Sequence, residues 1–312
     1  MAPKFFLLFV LCFLLSFVVI LPKFVESKTD QHNNPFQFLQ SLEECQKGQK
    51  VKGLQDLKKY LHKFGYLNYD NVHVPTTGLD ENVVHDHDQF DDLLESAIKT
   101  YQQSYHLNVT GILDSDTVNQ MMKPRCGVPD HVVNGHKSLH NVAHYQFIPG
   151  TPRWSKSHLT YTFSSSVRVP ATLQMKSVFQ SAFERWAKVT QFSFEEVDPA
   201  ASNADIVIGF HRLNHGDGEP FDGIKGVLAH SLPPSVGKCH FDADEIWSSN
   251  PAGVNELDLE SVAVHEIGHL LGLGHDPTKP EAIMYPTFSY GRIKRDLNSD
   301  DIQGIRTLYG LS

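Results

Sequence analysis

The stretch VAVHEIGHLLGLGHDPT, Val262 to Thr278, sets three histidines and a glutamate into an otherwise apolar run. Val262, Ala263, Ile267, Leu270 and Leu271 could line the buried face of a helix, where a lone histidine would be ordinary packing. His265 and His269, however, are spaced i, i+4, so both imidazoles leave one helix face a turn apart. Gly268, Gly272 and Gly274 weaken the helix, and the last marks its expected end. The chain can then turn and bring His275 back as a third nitrogen donor. Three neutral imidazoles suit a tetrahedral Zn2+ whose fourth corner is left to water, made more acidic by the metal. Glu266, next to the first histidine, is placed to take that water's proton.

Two further groups could hold metal. In HRLNHGDGEPFDGIKGVLAHS and CHFDADE, the residues His215, Asp217, His230 and His240 supply three nitrogens and one oxygen, a closed set of four that suits a structural zinc. Hard oxygen ligands cluster beside them: Asp222, Asp242 and Glu245, with backbone carbonyls of Gly223, Lys225 and Val227, a composition that favours Ca2+. Upstream, KPRCGVPD holds Cys126 between two prolines. It reads either as a free linker thiol or, beside a zinc site, as a thiolate able to fill the corner that the water needs.

These residues need a frame. Leu54, Leu57, Leu61 and Phe64 form one helical stripe, and Leu93, Leu94, Ala97, Ile98 and Tyr101 a second. With a short helix from Asp114 to Met122 they make a small three-helix domain. The intervening HDHDQFDD is expected to be a solvated connector, and Asn108-Val109-Thr110 a surface glycosylation sequon. Further on, LTYTF, FSFEEV and ADIVIGF read as strands, and Pro170 to Val189 as a helix burying Phe179, Phe183 and Trp186, so an α+β domain with a twisted sheet packed on helices is expected. SDDIQGIRTLYG would be the closing helix.

The whole chain of 312 residues allows about two domains. Its first 27 residues, with an apolar run from Phe5 to Leu21, read as a secretory signal peptide, an uncleaved anchor being the alternative that N-terminal sequencing would separate. No further apolar segment follows, so a soluble product without a stable membrane anchor is expected. The net charge of -9 gives no attraction to nucleic acid, and 18 histidines suggest metal. Beyond Cys12, Cys45, Cys126 and Cys239 are an odd set, so at least one is unpaired, and Cys45 and Cys239 are both expected to be free.

HEIGHLLGLGH matches the H-E-x-x-H-x-x-G-x-x-H pattern of the metzincin metallopeptidases. Met284, before Tyr285-Pro286, resembles the methionine turn of that clan. PRCGVPD resembles, residue for residue, the cysteine switch of the matrix metalloproteinases, and the likeness extends from about Val51 to Gly310. It implies a mostly parallel five-stranded sheet with three helices behind a three-helix, peptidoglycan-binding-like prodomain, divided as signal 1–27, propeptide 28–144 and catalytic domain 145–312. It also implies Cys126 as inhibitory zinc ligand, an Arg125–Asp130 ion pair holding the switch, two zinc ions, at least one calcium, and Asp300 as receiver of the new N-terminal ammonium. Lys238 stands where the animal enzymes have an aspartate, which argues against a second calcium near Asp205, and Ala243 replaces another aspartate, which argues against a third. The chain resembles a minimal, plant-type member lacking the hemopexin propeller. The expected activity is that of a secreted zinc endopeptidase, a monomer in the extracellular or cell-wall space, cutting extended peptides or proteins laid along the strand at Gly226 to His230 and inhibited by its own propeptide. Specificity should come from a pocket between the zinc helix and Pro286 to Leu297. A zinc-stabilised binding protein is the alternative, against which Glu266 and Cys126 would be purposeless.

Overall fold

The computed structural model describes residues 34–69, 88–131, 146–170, 173–200, 203–251 and 253–311. The signal segment, His85 and His87 of the HDHD loop, and Tyr145 at the expected start of the catalytic domain lie outside the described residues. Among the described residues no helix is long and apolar enough to cross a membrane.

The N-terminal part is helical. A short 3-10 helix, Gln37–Leu42, precedes α1 (Leu54–Lys63), α2 (Asp92–Ser104) and α3 (Ser115–Met121). Asp91 and Asp114 stand at the N-caps of α2 and α3, their carboxylates accepting from the Leu94 and Thr117 amides at 2.8 and 2.9 Å. The expected stripe of α1 is buried, while in α2 Leu94, Ala97, Ile98 and Tyr101 face inward and Leu93 only half so. Phe221, Val227 and Tyr285 from the C-terminal part complete this core.

The C-terminal part is built on one sheet. Its strands are β1 (Arg125–Cys126), β2 (His158–Phe163), β3 (Ser193–Glu196), β4 (Ile206–His211), β5 (Val227–Leu232) and β6 (Lys238–Asp242), in the order β1-β5-β6-β4-β2-β3. Every pairing is parallel except β5 with β6. Four of these strands fall on stretches expected to be extended, and β6 brings them to the five that the resemblance implies. The sixth, β1, is the PRCG segment itself, in register as Arg125 opposite Val227 and Cys126 opposite Ala229. Two short strands, β7 (Trp247–Ser248) and β8 (Leu257–Asp258), form a separate pair.

Three helices pack on this frame: α4 (Met175–Ala187), α5 (Leu259–Leu270) and α6 (Ser299–Tyr309). The helix expected from Pro170 to Val189 is shorter at both ends. Gln174 sits at φ 47, a left-handed conformation that interrupts any helix entering from Pro170, and the chain leaves the helix at Lys188. Phe179, Phe183 and Trp186 are buried as expected, and the Trp186 indole donates to the Val264 carbonyl at 2.8 Å, tying α4 to α5. All residues of α5 are buried, so a polar side chain on it must be satisfied by its neighbours. Asn298 and Asp301 form a capping box that starts α6.

Candidate metal centres and the segment that covers one of them

α5 carries His265 and His269 on one face, and the chain leaves it through Gly272 at φ 103, which lets His275 return. The three Nε2 atoms lie 3.0–3.2 Å from one another, and the Cys126 Sγ is 3.5 Å from the Nε2 of His269. Zn–N bonds of ~2.05 Å and a Zn–S bond of ~2.3 Å at tetrahedral angles would separate nitrogens by roughly 3.3 Å and sulfur from nitrogen by roughly 3.5 Å. The donor set therefore has the size of a zinc tetrahedron.

Outer partners fix each ring. The Nδ1 atoms of His265 and His269 face the carbonyls of Ile283 and Leu273 at 2.7 and 2.8 Å, and that of His275 faces the Asp130 carboxylate at 2.8 Å. A proton on each Nδ1 leaves the Nε2 lone pairs turned to a common centre. Burial pushes the pKa of all three histidines down, so they are neutral ligands. Burial pushes the Cys126 thiol well up, with the Glu266 charge adding to it, so a cation between the four groups is what would favour the thiolate. Converging lone pairs in a dry site fit a bound Zn2+.

Glu266 is fully buried, and burial raises its pKa to about 7. Its Oε2 accepts from the Ser231 hydroxyl at 2.7 Å, while Oε1 has no partner. Met284 lies beneath the site against Gly268, and Asp301 of α6 accepts from the amides of Ile283 and Met284, so the capping carboxylate also holds this turn.

The PRCGVPD segment fills the cleft over these groups. The amides of Arg125 and Gly127 donate to Gly226 and Ala229 on the β5 side, and that of Cys126 to Pro286 on the other wall, whose Phe288 amide donates back to Pro124. Arg125 and Asp130 pair at 2.5 Å with no solvent exposure, and the guanidinium lies 3.5 Å over the Phe64 ring. The other Asp130 oxygen accepts from Tyr66 and Tyr105. Burial alone would raise the Asp130 pKa, but Arg125 and His275 hold it well below the usual carboxylate range. The contact from Asp130 to His275 and the two tyrosines were not among the sequence expectations. Each depends on packing between segments far apart in the chain.

The second group also converges. Asp217 Oδ2 is met by His215 Nε2, His230 Nε2 and His240 Nδ1 at 2.9, 2.7 and 2.9 Å. Burial pushes His230 down to about 4 and lowers His240, and although burial opposes it, the amide of Glu219 with His230 and His240 lowers Asp217. Two neutral imidazoles and a carboxylate are a fitting donor set for zinc.

The oxygen-rich group is less closed. Among the described residues only the two histidine-containing groups bring their ligand atoms within 4.8 Å of one another. Asp222 accepts from the Val227 amide and Glu245 from the Lys225 amide, around a turn with Gly223 and Lys225 in left-handed conformations. Asp242 Oδ2 and Glu245 Oε2 are buried without a partner. Burial, with mutual repulsion, lifts Asp242 to about 7 and Glu245 to about 8. Orphaned hard oxygens of one sign suit Ca2+.

Of the remaining expectations, Asn108, Val109 and Thr110 are exposed in the loop between α2 and α3. Cys45, Cys126 and Cys239 are all unpaired and buried. Burial and the neighbouring Asp276 raise the pKa of Asp300. A cavity of about 320 Å³ opens beside α5, with Leu257, Val262, Tyr285, Phe288, Arg292 and Lys294 in its wall, and Lys123, just before the PRCGVPD segment, reaches it too.

With two histidines on α5, a third returning after it and a parallel-dominated sheet in place, comparison with known families agrees. Residues 153–310 match the "Peptidase_M10: Matrixin" family, and residues 50–121 match the family described as "Putative peptidoglycan binding domain". Metalloendoproteinase 5-MMP of Arabidopsis thaliana is 44% identical over 290 residues, covering 89% of this chain and 76% of its own. Metalloendoproteinase 1 of Glycine max is 45% identical over 275 residues, covering 85% and 84%. Matrix metalloproteinase-20 of Homo sapiens is 40% identical over 217 residues, covering 68% and 41%. The chain belongs to the matrixin family, and it is a zinc metalloendopeptidase.

Proposed function

We propose that the chain is the zymogen of a secreted endopeptidase that hydrolyses extracellular proteins, with residues 28–144 as propeptide and 145–312 as catalytic domain. His265, His269 and His275 hold the catalytic zinc, His215, Asp217, His230 and His240 a structural one, and Asp222, Asp242 and Glu245, with carbonyls of Gly223, Lys225 and Val227, a calcium. The observation that carries this reading is Cys126 Sγ standing 3.5 Å from His269, in the corner beside Glu266. In the latent form the thiolate takes that corner and β1 takes the edge of β5.

Once the propeptide is removed, a substrate lies extended on the freed edge of β5 and its side chain enters the cavity beside α5. Zinc, when bound, supplies Lewis acidity to the scissile carbonyl. Glu266 takes a proton from the attacking water as its oxygen bonds to the carbonyl carbon, then delivers that proton to the nitrogen as the C–N bond breaks. The Asp276–Asp300 carboxyl pair is where a new N-terminal ammonium would be neutralised. The enzyme acts as a monomer, with glycan on Asn108.

Treating the zinc-loaded proprotein with a thiol-reactive mercurial tests this reading, following a quenched fluorogenic peptide and the mass of the chain. Chelator-sensitive cleavage should appear only after treatment, with loss of the segment before about Tyr145. Glu266→Ala should retain zinc and lose turnover. Normal activity in that variant would rule out Glu266 as the base.

A further inference from the structure

A glutamate that shuttles a proton must present one oxygen to the reaction and keep the carboxylate from rotating. Backbone contacts of α5 fix the Glu266 Cα but not its carboxylate. That carboxylate lies in a fully buried site, so whatever orients it must come from a neighbouring element. Ser231, on β5, donates a hydrogen bond to it from a hydroxyl 35 positions away in the chain.

We infer that Ser231 is a positioning residue for this enzyme's general base: it holds Oε2 of Glu266 so that Oε1 faces the corner between the histidines. The inference rests on the proposed role of Glu266 and deepens it. Ser231 is 5% exposed and sits on β5 next to His230, whose side chain leaves the opposite face of the strand toward Asp217. The 2.7 Å bond has one direction, because an ionised carboxylate only accepts and the serine hydroxyl must donate. Oε1, also buried, is left without a partner, and the group that meets this carboxyl from the propeptide side is Cys126. Removing the propeptide therefore frees one oxygen while the other stays tied.

The serine is itself held. Its register partner across the antiparallel β5–β6 pair is Cys239, a fully buried free thiol on the same face of the sheet. A hydroxyl on a paired strand, flanked by a buried side chain, has its orientation fixed more firmly than one on a loop could.

The test uses the full-length, zinc-loaded chain activated by proteolytic removal of its propeptide, so that no thiol reagent reaches Cys239. Ser231→Ala, Ser231→Thr and Glu266→Ala are compared in that background. Ser231→Ala is expected to lower kcat by about tenfold, the cost of losing an outer orienting partner, with KM within about twofold and zinc content unchanged. Ser231→Thr keeps a hydroxyl on a side chain that strands accept, and is expected to restore most of kcat. Parental kcat in Ser231→Ala overturns the inference, as does equal loss in both serine variants or a change confined to KM or zinc content. Activity in Glu266→Ala would instead remove the reading on which the inference rests.

Discussion

On the proposed latency, Asp130→Asn should make the uncut chain leak. In the closed form Asp130 neutralises Arg125 at 2.5 Å, both with no exposure, and accepts from Tyr66, Tyr105 and the Nδ1 of His275. Removing one member of a buried pair costs about 3–5 kcal/mol because the other charge stays buried. In the open form both residues are solvated, so the penalty falls on the closed form alone. Asparagine keeps the shape and an acceptor oxygen, which favours the lower figure, about 3 kcal/mol, or roughly a hundredfold larger open fraction at 1.4 kcal/mol per tenfold. The assay is the initial rate on a quenched fluorogenic peptide, with mass spectrometry showing the chain still uncut and chelator as blank. A folded, zinc-loaded Asp130→Asn proprotein no leakier than its parent would refute this account of latency. The sign of the pH effect follows from the depressed Asp130 pKa: its contribution is complete above the ordinary carboxylate range and is lost only as pH falls well below that range. Mild acid should therefore leave the switch closed.

Gly127→Ala should also raise the uncut activity, by about five- to a hundredfold, because a Cβ there would stand 2.7 Å from Val227 Cγ1 and 3.3 Å from His230 Cβ, an overpacking cost of about 1–3 kcal/mol. The activity after propeptide removal should be unchanged, and an equally silent uncut variant would argue against close packing of β1 on β5. Calcium should raise the melting temperature by an increment that grows with pH. Asp242 and Glu245 hold their protons up to about 7 and 8 in the fold, so the calcium-free protein keeps their contribution below the ordinary carboxylate range and loses it as pH rises through those values. A pH-independent increment in a calcium titration followed by thermal melting would count against this site. Gly268→Ala should melt lower, although helix propensity alone would favour alanine by about 0.5–1 kcal/mol. Its Cβ would overlap Met284 Sδ and approach Trp186, and overpacking of about 1–3 kcal/mol outweighs that gain. A raised melting temperature would show that the methionine turn yields easily.

The α5 histidines could be read from spacing because i, i+4 on a helix is a local geometric rule. The α1 and α2 stripes and the caps at Asp91 and Asp114 are local in the same sense. The start of α4 was misread because a left-handed Gln174 leaves no compositional trace. That β1 adds a sixth strand, that Asp130 reaches His275, and that Ser231 reaches Glu266 are facts of tertiary packing over 102, 145 and 35 positions. No periodicity in one sequence encodes such pairings.

The aromatic core of the N-terminal helices includes Phe221, Val227 and Tyr285 from beyond the PRCGVPD segment, and Gln120 reaches toward Tyr285 and Thr287. On the proposed reading, inhibitor and enzyme thus meet through a packed apolar contact beside their two separate cores. A cut on the C-terminal side of Asp130 severs the chain but leaves every one of these contacts in place. Cleavage and release are then two separate events, the second a unimolecular departure whose rate no excess of activating protease can hasten. Rebinding, by contrast, is bimolecular, so diluting a freshly cut sample would let it gain activity that a concentrated one withholds.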